Sequence, residues 1–392
     1  MRLTVRGIGL LAAGAVLAIV AASVDALSLA RMSVLLLALV AMAVIAVLLS
    51  RRRTSRMRLQ RRVDPVRPVV GEPATVHLRV ASGGLGPWNR LRERAPSDLK
   101  RSPVQAGGGD REAWHYRIRP GRRGFHRLGP ATVLHTDPLG LVRWPVQADT
   151  STSLLVWPRS AVLAESLPLQ ELGGSQASTV GLPERSVEDL TVREYVPGDD
   201  IGRVHWRSSA RRGELMVRSD EPSRPPAIDM VLDIGHGPGA EWAVSAFASL
   251  ALALIADGVP VRLQVCRRPA LEADPVVTPV TCSHPEDALD TIAPALVTPK
   301  ELRRDQAAEL RRVGPSVVTV LHQPHALLLE TLSRLAENRR AYGLVVLDSR
   351  SQVPPLARMT RHGWSVHTAR ARTDSSGIAR SWEALLEGVK VR

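Results

Sequence analysis

The 392-residue chain is poor in cysteine and in the short motifs that mark common enzyme classes. Its two cysteines, Cys266 and Cys282, provide no disulfide framework and fit a reducing compartment. The sequence contains no G-x-x-x-x-G-K-[ST] loop, no H-E-x-x-H motif and no G-x-S-x-G motif. His322 and His325 lie close together but would bind zinc only with a third ligand, which the sequence does not identify. These absences favour a non-catalytic protein without a cofactor.

Two long apolar runs lie near the N-terminus, at residues 7–24 and 32–49. At a rise of ~1.5 Å per residue, each run would span roughly 27 Å as a helix, close to the hydrocarbon thickness of a bilayer. The short segment between the runs allows only a tight connection. We therefore predict that residues 1–62 form a transmembrane helical hairpin with a basic flank.

Arginine is distributed unevenly around these runs. Of the formal net charge of +14, residues 1–62 contribute +9, so the other 330 residues carry only +5. Arg2 and Arg6 precede the first run and Arg31 alone lies between the runs, whereas the second run is followed by Arg51, Arg52, Arg53, Arg56, Arg58, Arg61 and Arg62. The positive-inside rule then predicts that both termini are cytoplasmic. A cleaved signal peptide in place of the first helix would leave the remainder facing the cytoplasm, because the second run would still stop transfer.

The location of the charge also bears on the partner. Each arginine near an anionic leaflet contributes about 1 kcal/mol to membrane association. Because most of the excess charge flanks the apolar runs, the sequence favours a membrane-surface role over nucleic-acid binding.

Residues 63–160 have the period of β-strands. Val76 and Leu78 alternate with polar neighbours, and so do Trp114, Tyr116 and Ile118. Turns that contain Gly or Pro separate these runs, which is typical of an all-β, sandwich-like domain. Residues 161–226 then hold a linker rich in Gly and Ser, followed by a charged segment.

After residue 226 the pattern alternates between strands and helices. We predict strands at residues 227–233, 259–266, 316–321, 343–348 and 364–368, with helices near 241–256, 300–312, 326–339 and 378–387. This alternation predicts an α/β domain over residues 227–392, with a mostly parallel sheet covered by helices. The chain is therefore expected to be a multidomain protein: a transmembrane hairpin, an all-β domain and an α/β domain.

The signature segment, residues 193–221, combines a turn, a charged helix and a strand. The Pro-Gly-Asp-Asp turn at residues 197–200 ends in a good helix N-cap, and Gly213 stands where a left-handed C-terminal residue is required. Between them we predict a helix over residues 200–212. On this helix Arg203, Arg207 and Arg211 would form one basic stripe beside a narrow apolar face.

The signature segment resembles that of the bacterial domain-of-unknown-function 58 family, which runs approximately R-x-Y-x-x-G-D-D-x-R-x-h-x-W-x-x-S-A-R. The matching residues are Arg193, Tyr195, Gly198, Asp199, Arg203, Trp206, Ala210 and Arg211. His205 stands where many relatives carry Asp. The resemblance implies a von Willebrand factor A-like C-terminal domain. Genes of this type commonly neighbour MoxR-class AAA ATPases and transglutaminase-like membrane proteins, which implies an assembly role in envelope processes.

The resemblance to the von Willebrand A domain directs attention to Asp233. The metal site of such domains resembles D-x-S-x-S at the end of the first strand, because a carboxylate and two hydroxyls begin the octahedral shell of Mg²⁺. Here the residues are Asp233-Ile234-Gly235-His236-Gly237, so both hydroxyl ligands are replaced by glycine. We predict a degenerate site without metal, in which Asp233 caps the following loop.

The sequence is compatible with three functions. The leading hypothesis is a membrane-anchored scaffold or adaptor that faces the cytoplasm and recruits partner proteins, since Arg and Trp are enriched at interface hot spots. One alternative is an enzyme that uses Asp199 with Glu194 or His205 as an acid/base pair. Another is metal-dependent protein binding through Asp233.

The signature segment also has a purely structural interpretation. In it, Asp199 caps the helix and Trp206 packs between the two domains. The signature arginines would then pair with Glu194 or Glu221.

Overall fold

A computed structural model of the chain describes residues 2–54, 58–82, 90–94, 96–106, 113–148, 151–163, 192–196, 204–218, 227–335, 339–371 and 376–390. The chain forms two compact units. The N-terminal unit comprises Met1–Pro158 with Ala270–Ala273, and the C-terminal unit comprises Arg159–Pro269 with Asp274–Arg392. The helical hairpin and the strand-rich part of the chain therefore belong to one unit.

Two long helices begin the N-terminal unit, α1 (Val5–Val24) and α2 (Leu27–Thr54). Both are long and apolar enough to cross a membrane, as predicted. The connection is shorter than expected, because α2 begins at residue 27 rather than at the apolar run that starts at residue 32. The helices approach closely at Gly14, whose carbonyl accepts a hydrogen bond from Ser33 Oγ (3.0 Å).

Antiparallel strands make up the rest of the N-terminal unit. They are β1 (Arg2–Leu3), β2 (Arg58–Asp64), β3 (Ala74–Ser82), β4 (Arg90–Glu93), β5 (Leu99–Arg101), β6 (Gln105–Ala106), β7 (Ala113–Pro120), β8 (Gly124–Leu128), β9 (Ala131–Thr136), β10 (Val142–Ala148) and β11 (Thr152–Val156). One sheet has the order β1-β10-β9-β4, and another has the order β2-β3-β7-β5, with β6 also paired to β7. Strands β8 and β11 form a separate pair. The strand-rich region is therefore confirmed.

The alternation in the sequence produces the core of this unit. Val76 and Leu78 are buried on β3, and Trp114, Tyr116 and Ile118 are buried on β7. Successive side chains of a strand point to opposite faces, so the intervening polar residues lie on the other side of the sheet.

The helices and the strands of the N-terminal unit share a second, smaller apolar cluster. Its buried members are Val40, Ala43, Val47, Leu141, Val142 and Trp144. The start of α1 is attached at the same place, since β1 pairs with β10 and Thr4 N–H donates to Leu141 O (2.8 Å). Gly7 lies so close to this turn that an added Cβ would be 2.3 Å from Leu141 O.

A six-stranded sheet forms the centre of the C-terminal unit. Its strands are β14 (Ile228–Ile234), β15 (Val261–Val265), β16 (Val280–Cys282), β17 (Ser316–His322), β18 (Arg340–Leu347) and β19 (Ser365–Arg370), and a separate pair consists of β12 (Val192–Glu194) and β13 (Met216–Arg218). The order in the sheet is β16-β15-β14-β17-β18-β19, with all neighbours parallel except β15 and β16. The sheet is mixed because of β16. Because β16 is only three residues long, its sequence is too short to show the alternation that predicts a strand.

Helices cover this sheet. They are α4 (Ala240–Ala256), α5 (Pro285–Ile292), α6 (Arg303–Leu310), α7 (Ala326–Ser333), α8 (Ala357–Arg361) and α9 (Ser376–Lys390). The helix α3 (Trp206–Arg212) instead contacts β13 of the separate strand pair. Every residue of β14 and of β17 is buried, as expected for parallel strands covered on both faces. The predicted helices of this unit are present, although α6 and α7 are shorter than expected, and α5 and α8 were not predicted.

The strand order defines one particular edge of the sheet. The chain passes from β14 to β15 on one side, and β17 lies on the other side of β14. In open α/β sheets, ligands bind at the carboxyl ends of the strands where the order reverses in this way. The residues that follow β14 and β17 are therefore one candidate site, and the signature segment is the other.

Candidate functional site

The signature segment folds as a strand, a helix and a second strand. β12 and β13 pair antiparallel, and α3 lies between them in sequence. The helix ends at Gly213, whose φ of 76° is the left-handed conformation predicted for it. It begins later than the predicted residue 200, because Val204 forms a β-bridge to Val217 and does not take part in the helix.

Hydrogen bonds attach the start of α3 to β13. His205 N–H donates to Met216 O (2.8 Å). The buried Ser209 Oγ donates to His205 O (3.1 Å) and accepts from Met216 N–H (2.8 Å). His205 is also the N-cap, since its Nδ1 accepts from Ser208 N–H (3.3 Å). The predicted capping of this helix by an aspartate of the preceding turn was therefore wrong.

The two serines of α3 were missed by the sequence analysis. A signal was available, because serine in a short helix commonly bonds to nearby backbone groups. Both Ser208 and Ser209 are buried, and Ser209 fixes the helix against β13 through its hydrogen bond from Met216 N–H.

The predicted site residues are only partly covered by the structure. Outside the described residues lie Gly198, Asp199 and Arg203. Arg193 lies in β12, and Tyr195 follows that strand as a half-buried residue. Trp206 and Arg211 are exposed on α3.

Trp206 belongs to an exposed apolar surface, here called the Trp206 surface, which also contains Val196 and Leu215. The exposed fractions are 66% for Trp206, 56% for Val196 and 47% for Leu215. Tyr195 N–H donates to Leu215 O (2.8 Å), so Val196 and Leu215 lie at the same end of the β12–β13 pair. Trp206 lies at that end as well, because His205, the residue before it, is hydrogen-bonded to Met216 at the start of β13. The arginines exposed on α3 are Arg207, Arg211 and Arg212.

Two carboxyl groups meet beside this surface. A hydrogen bond to Glu194, together with repulsion between the two charges, raises the pKa of Glu214. Both side chains are exposed, so water screens the interaction. Glu214 was not predicted, although it follows Gly213 directly, where the chain turns back along β12.

At the edge of the large sheet, Asp233 is buried near the end of β14. Burial raises its pKa to about 6. Hydrogen bonds from Gln306 and Thr298 and the positive charge of Arg303 lower the pKa, but their effect is smaller than that of burial. Thr298 Oγ1 lies 3.5 Å from Asp233 Oδ1, at the limit of a hydrogen bond. The carboxyl group thus faces side chains near α6.

The centre of this edge is occupied by Asp348, which follows β18. Its Oδ1 accepts from Gly239 N–H (2.7 Å) and lies 3.1 Å from His322 Nε2, while its Oδ2 accepts from Gln323 Nε2 (2.6 Å). The other ring nitrogen of His322 lies 3.1 Å from Gly235 O. This network, here called the Asp348 network, joins the ends of β14, β17 and β18. The sequence analysis did not identify it.

The loop after β14 has no space for the hydroxyl side chains of a von Willebrand A metal site. A Cβ at Gly235 would lie 2.5 Å from His322 O, and a Cβ at Gly237 would lie 2.1 Å from Asp348 Oδ2. Gly237 also has a φ of 153°, which L side chains rarely adopt. Among the described residues no group of three or more His, Cys, Asp or Glu could hold a metal ion. The donors present do not fit Mg²⁺, which requires near-ideal octahedral oxygen ligation.

The remaining candidate groups have structural roles. His325 caps α7 by accepting from Leu328 N–H (3.3 Å), and burial lowers its pKa. Burial also raises the pKa of Cys266 to about 11 and raises the pKa of Cys282. A nucleophilic cysteine needs the opposite shift, so neither thiol is activated.

The signature segment lies within the part of the chain that matches a known family. Residues 191–258, which contain β12, α3, β13, β14 and α4, match the family model described as protein of unknown function DUF58. This part of the chain is similar to DUF58. The DUF58 segment therefore contains both the Trp206 surface and the loop after β14.

The chain is also similar to a curated protein. The uncharacterized protein YeaD of Bacillus subtilis (strain 168) is 30% identical over 138 residues, which are 35% of this chain. The match spans 34% of the length of that protein. The likeness concerns a part of each chain and names no activity.

Proposed function

We propose that this protein is a membrane-anchored scaffold or adaptor that faces the cytoplasm and binds partner proteins through the Trp206 surface. The observation that supports this function is the 66% exposure of Trp206 within the DUF58 segment. Tryptophan and arginine are the residue types most enriched at interface hot spots. A large aromatic side chain left in water forgoes the favourable free energy of burial, which a partner would recover.

The support beneath Trp206 favours binding by a preformed surface. Val204, Ser208 and Ser209 are buried in the same segment, and Met216 and Val217 are buried on β13. A helix held in this way loses little conformational entropy when a partner binds. The nearby arginines of α3 favour an acidic partner surface.

The resemblance of the signature segment suggests the partner. A MoxR-class AAA ATPase and a transglutaminase-like membrane protein are the proposed candidates, in an envelope-related assembly. The apolar lengths of α1 and α2 support anchoring in a membrane, and the arginines around them support a cytoplasmic location for both termini. No nucleic acid is proposed as a partner.

The C-terminal unit is proposed to be von Willebrand factor A-like. The central position of β14, the first strand of the sheet, and the short antiparallel strand β16 at one edge support this proposal. In this protein the edge of the sheet would act without metal, because the Asp348 network uses the oxygen atoms and the space that a metal site needs. Metal-dependent binding through Asp233 is therefore not favoured.

An enzyme is the second candidate. The raised pKa of Glu214, caused by its hydrogen bond to Glu194, favours it, since a carboxyl group that holds its proton to higher pH is a better general acid. Asp199 and His205 were the other acid/base candidates. His205 uses its Nδ1 as the cap of α3.

Purification of the native membrane complex tests the proposal. We expect the tagged full chain to retain a stoichiometric partner, and W206A to weaken that binding by at least about 30-fold, as for a hot-spot residue. L327A is the matched control, because Leu327 is also an exposed apolar residue at the start of a helix. Loss of turnover in E194Q, with partner binding retained, would support the enzyme instead.

A further inference from the structure

A cleft of about 950 Å³ lies in the N-terminal unit, where β1 leads into α1. The residues that line it include four arginines and no carboxylate. The arginines are Arg2, Arg6, Arg90 and Arg143. We call it the arginine cleft.

The register of the strands explains why arginines from distant parts of the chain meet here. Arg2 on β1 lies opposite Arg143 on β10, which in turn lies opposite Thr136 on β9. Leu134 precedes Thr136 by two residues and therefore shares its face, and Leu134 lies opposite Arg90 on β4. Three arginines from three strands thus project from one face of the sheet.

The charge of the cleft is not balanced within the described residues. None of the ion pairs among the described residues includes Arg2, Arg6, Arg90 or Arg143. Arg2 and Arg143 are a directly opposed pair of like charges, an arrangement that destabilises a sheet. The carboxylate of Asp137 in the adjoining turn accepts from Leu139 N–H (3.0 Å) and Val142 N–H (2.6 Å). A bound anion would offset the repulsion among the arginines.

The surroundings of the cleft indicate the kind of anion. Its apolar residues include Leu3, Val5 and Leu139, which are all exposed. The cleft lies at the start of α1, and α1 is long and apolar enough to cross a membrane. A ligand that presents a phosphate to the arginines and an apolar portion to these side chains would complement both features.

We propose that the arginine cleft binds the phosphate headgroup of an acidic phospholipid from the cytoplasmic leaflet, an inference that rests on the proposed membrane anchoring. The arginines bind the phosphate by charge-assisted hydrogen bonds. The acyl chains remain in the bilayer beside the two helices. The lipid would thereby fix the orientation of the strand-rich part relative to the membrane surface.

The test uses the full chain reconstituted in nanodiscs of phosphatidylcholine with increasing phosphatidylglycerol, followed by native mass spectrometry of the lipids retained after release. We expect wild type to retain phosphatidylglycerol in preference to phosphatidylcholine. R90Q/R143Q should reduce this preference about tenfold or more, because each arginine contributes substantially to binding an anionic headgroup. The control R117Q/R119Q removes the same charge from exposed positions of β7, outside the cleft, and should change the preference less than about twofold.

R6Q gives an independent reading if the double variant does not fold, since Arg6 lies on α1 rather than on the sheet. An equal loss of preference in the cleft variant and in the control would overturn the proposal. A second result that would overturn the proposal concerns inorganic phosphate. In that result, inorganic phosphate displaces phosphatidylglycerol from wild type. It also raises the melting temperature of wild type in a phosphatidylcholine nanodisc as much as phosphatidylglycerol does. A chain that does not enter nanodiscs at all refutes the membrane anchoring, whereas insertion without lipid preference refutes only the lipid site.

Discussion

His322 Nε2 lies 3.1 Å from Asp348 Oδ1, and this contact joins the carboxyl ends of the neighbouring parallel strands β17 and β18. His322 is fully buried, and Asp348 also accepts hydrogen bonds from Gly239 and Gln323. The edge at which an α/β sheet commonly binds ligands is here closed by side chains of the protein itself.

Removal of the carboxylate should therefore destabilise the C-terminal unit. We expect D348A to lower the free energy of unfolding by about 2–3 kcal/mol, because it leaves buried donors without an acceptor. Denaturant unfolding of the full chain in detergent measures the change. D274A removes an exposed carboxylate from the same unit and should stay within about 0.5 kcal/mol of wild type. Equal stability of the two variants would show that the Asp348 network contributes little.

The close approach of Gly237 to Asp348 predicts coupling between the two positions. G237A should destabilise wild type, because the added Cβ would meet Asp348 Oδ2 at 2.1 Å. Part of this cost should disappear when G237A is introduced into D348A, where that oxygen is absent. A double-mutant cycle measures the difference, and we expect a coupling of about 1 kcal/mol or more. If the free-energy changes of G237A and D348A are additive, the backbone conformation at Gly237 is the reason for glycine there, and the contact with Asp348 is not.

The pKa of Asp233 predicts a pH dependence of stability. Its pKa is raised from 3.8 to about 6 in the folded state, so the folded protein holds this proton more tightly than the unfolded chain does. Stability should therefore fall as pH rises from about 4 to 6, by roughly 3 kcal/mol from this group.

D233N cannot lose a proton at this position and isolates the effect. The stability of D233N relative to wild type should increase over the same pH range and level off above it. Denaturant unfolding at closely spaced pH values checks this expectation. A difference between the two proteins that does not vary with pH would contradict the buried, proton-retaining carboxyl group.

Mg²⁺ should not stabilise this protein through Asp233. The two loop positions that would supply hydroxyl ligands are Gly235 and Gly237, and neither has space for a side chain. We expect the melting temperature of wild type to be unchanged at saturating Mg²⁺, because a ligand stabilises only the state that binds it. An increase that is absent in D233N would instead establish the metal-dependent alternative.

Several features of the fold were predictable because they depend on local pattern. The apolar lengths of α1 and α2, the alternation of Val76 with polar neighbours and the buried character of β14 are each visible within a short window of sequence. Gly213 was also predictable, since a helix end in the left-handed conformation favours glycine.

The site was less predictable, because it depends on contacts between residues far apart in the chain. The helix α3 begins at Trp206 only because β13 pairs with the residues before it, and no helix propensity records that pairing. The partnership of Glu194 with Glu214 follows from the same strand pair.

The sequence by itself determined the composition of the segments: which were apolar enough for a membrane, which had strand or helix period, and which resembled a known signature. Only the tertiary structure decided that Arg2, Arg90 and Arg143 share one face of a sheet, and that Asp348 fills the edge near which the sequence had placed only the degenerate site at Asp233. The physical reason is that periodicity reports the burial of a residue within its own element. The pairing of distant elements depends on how their faces and turns pack together.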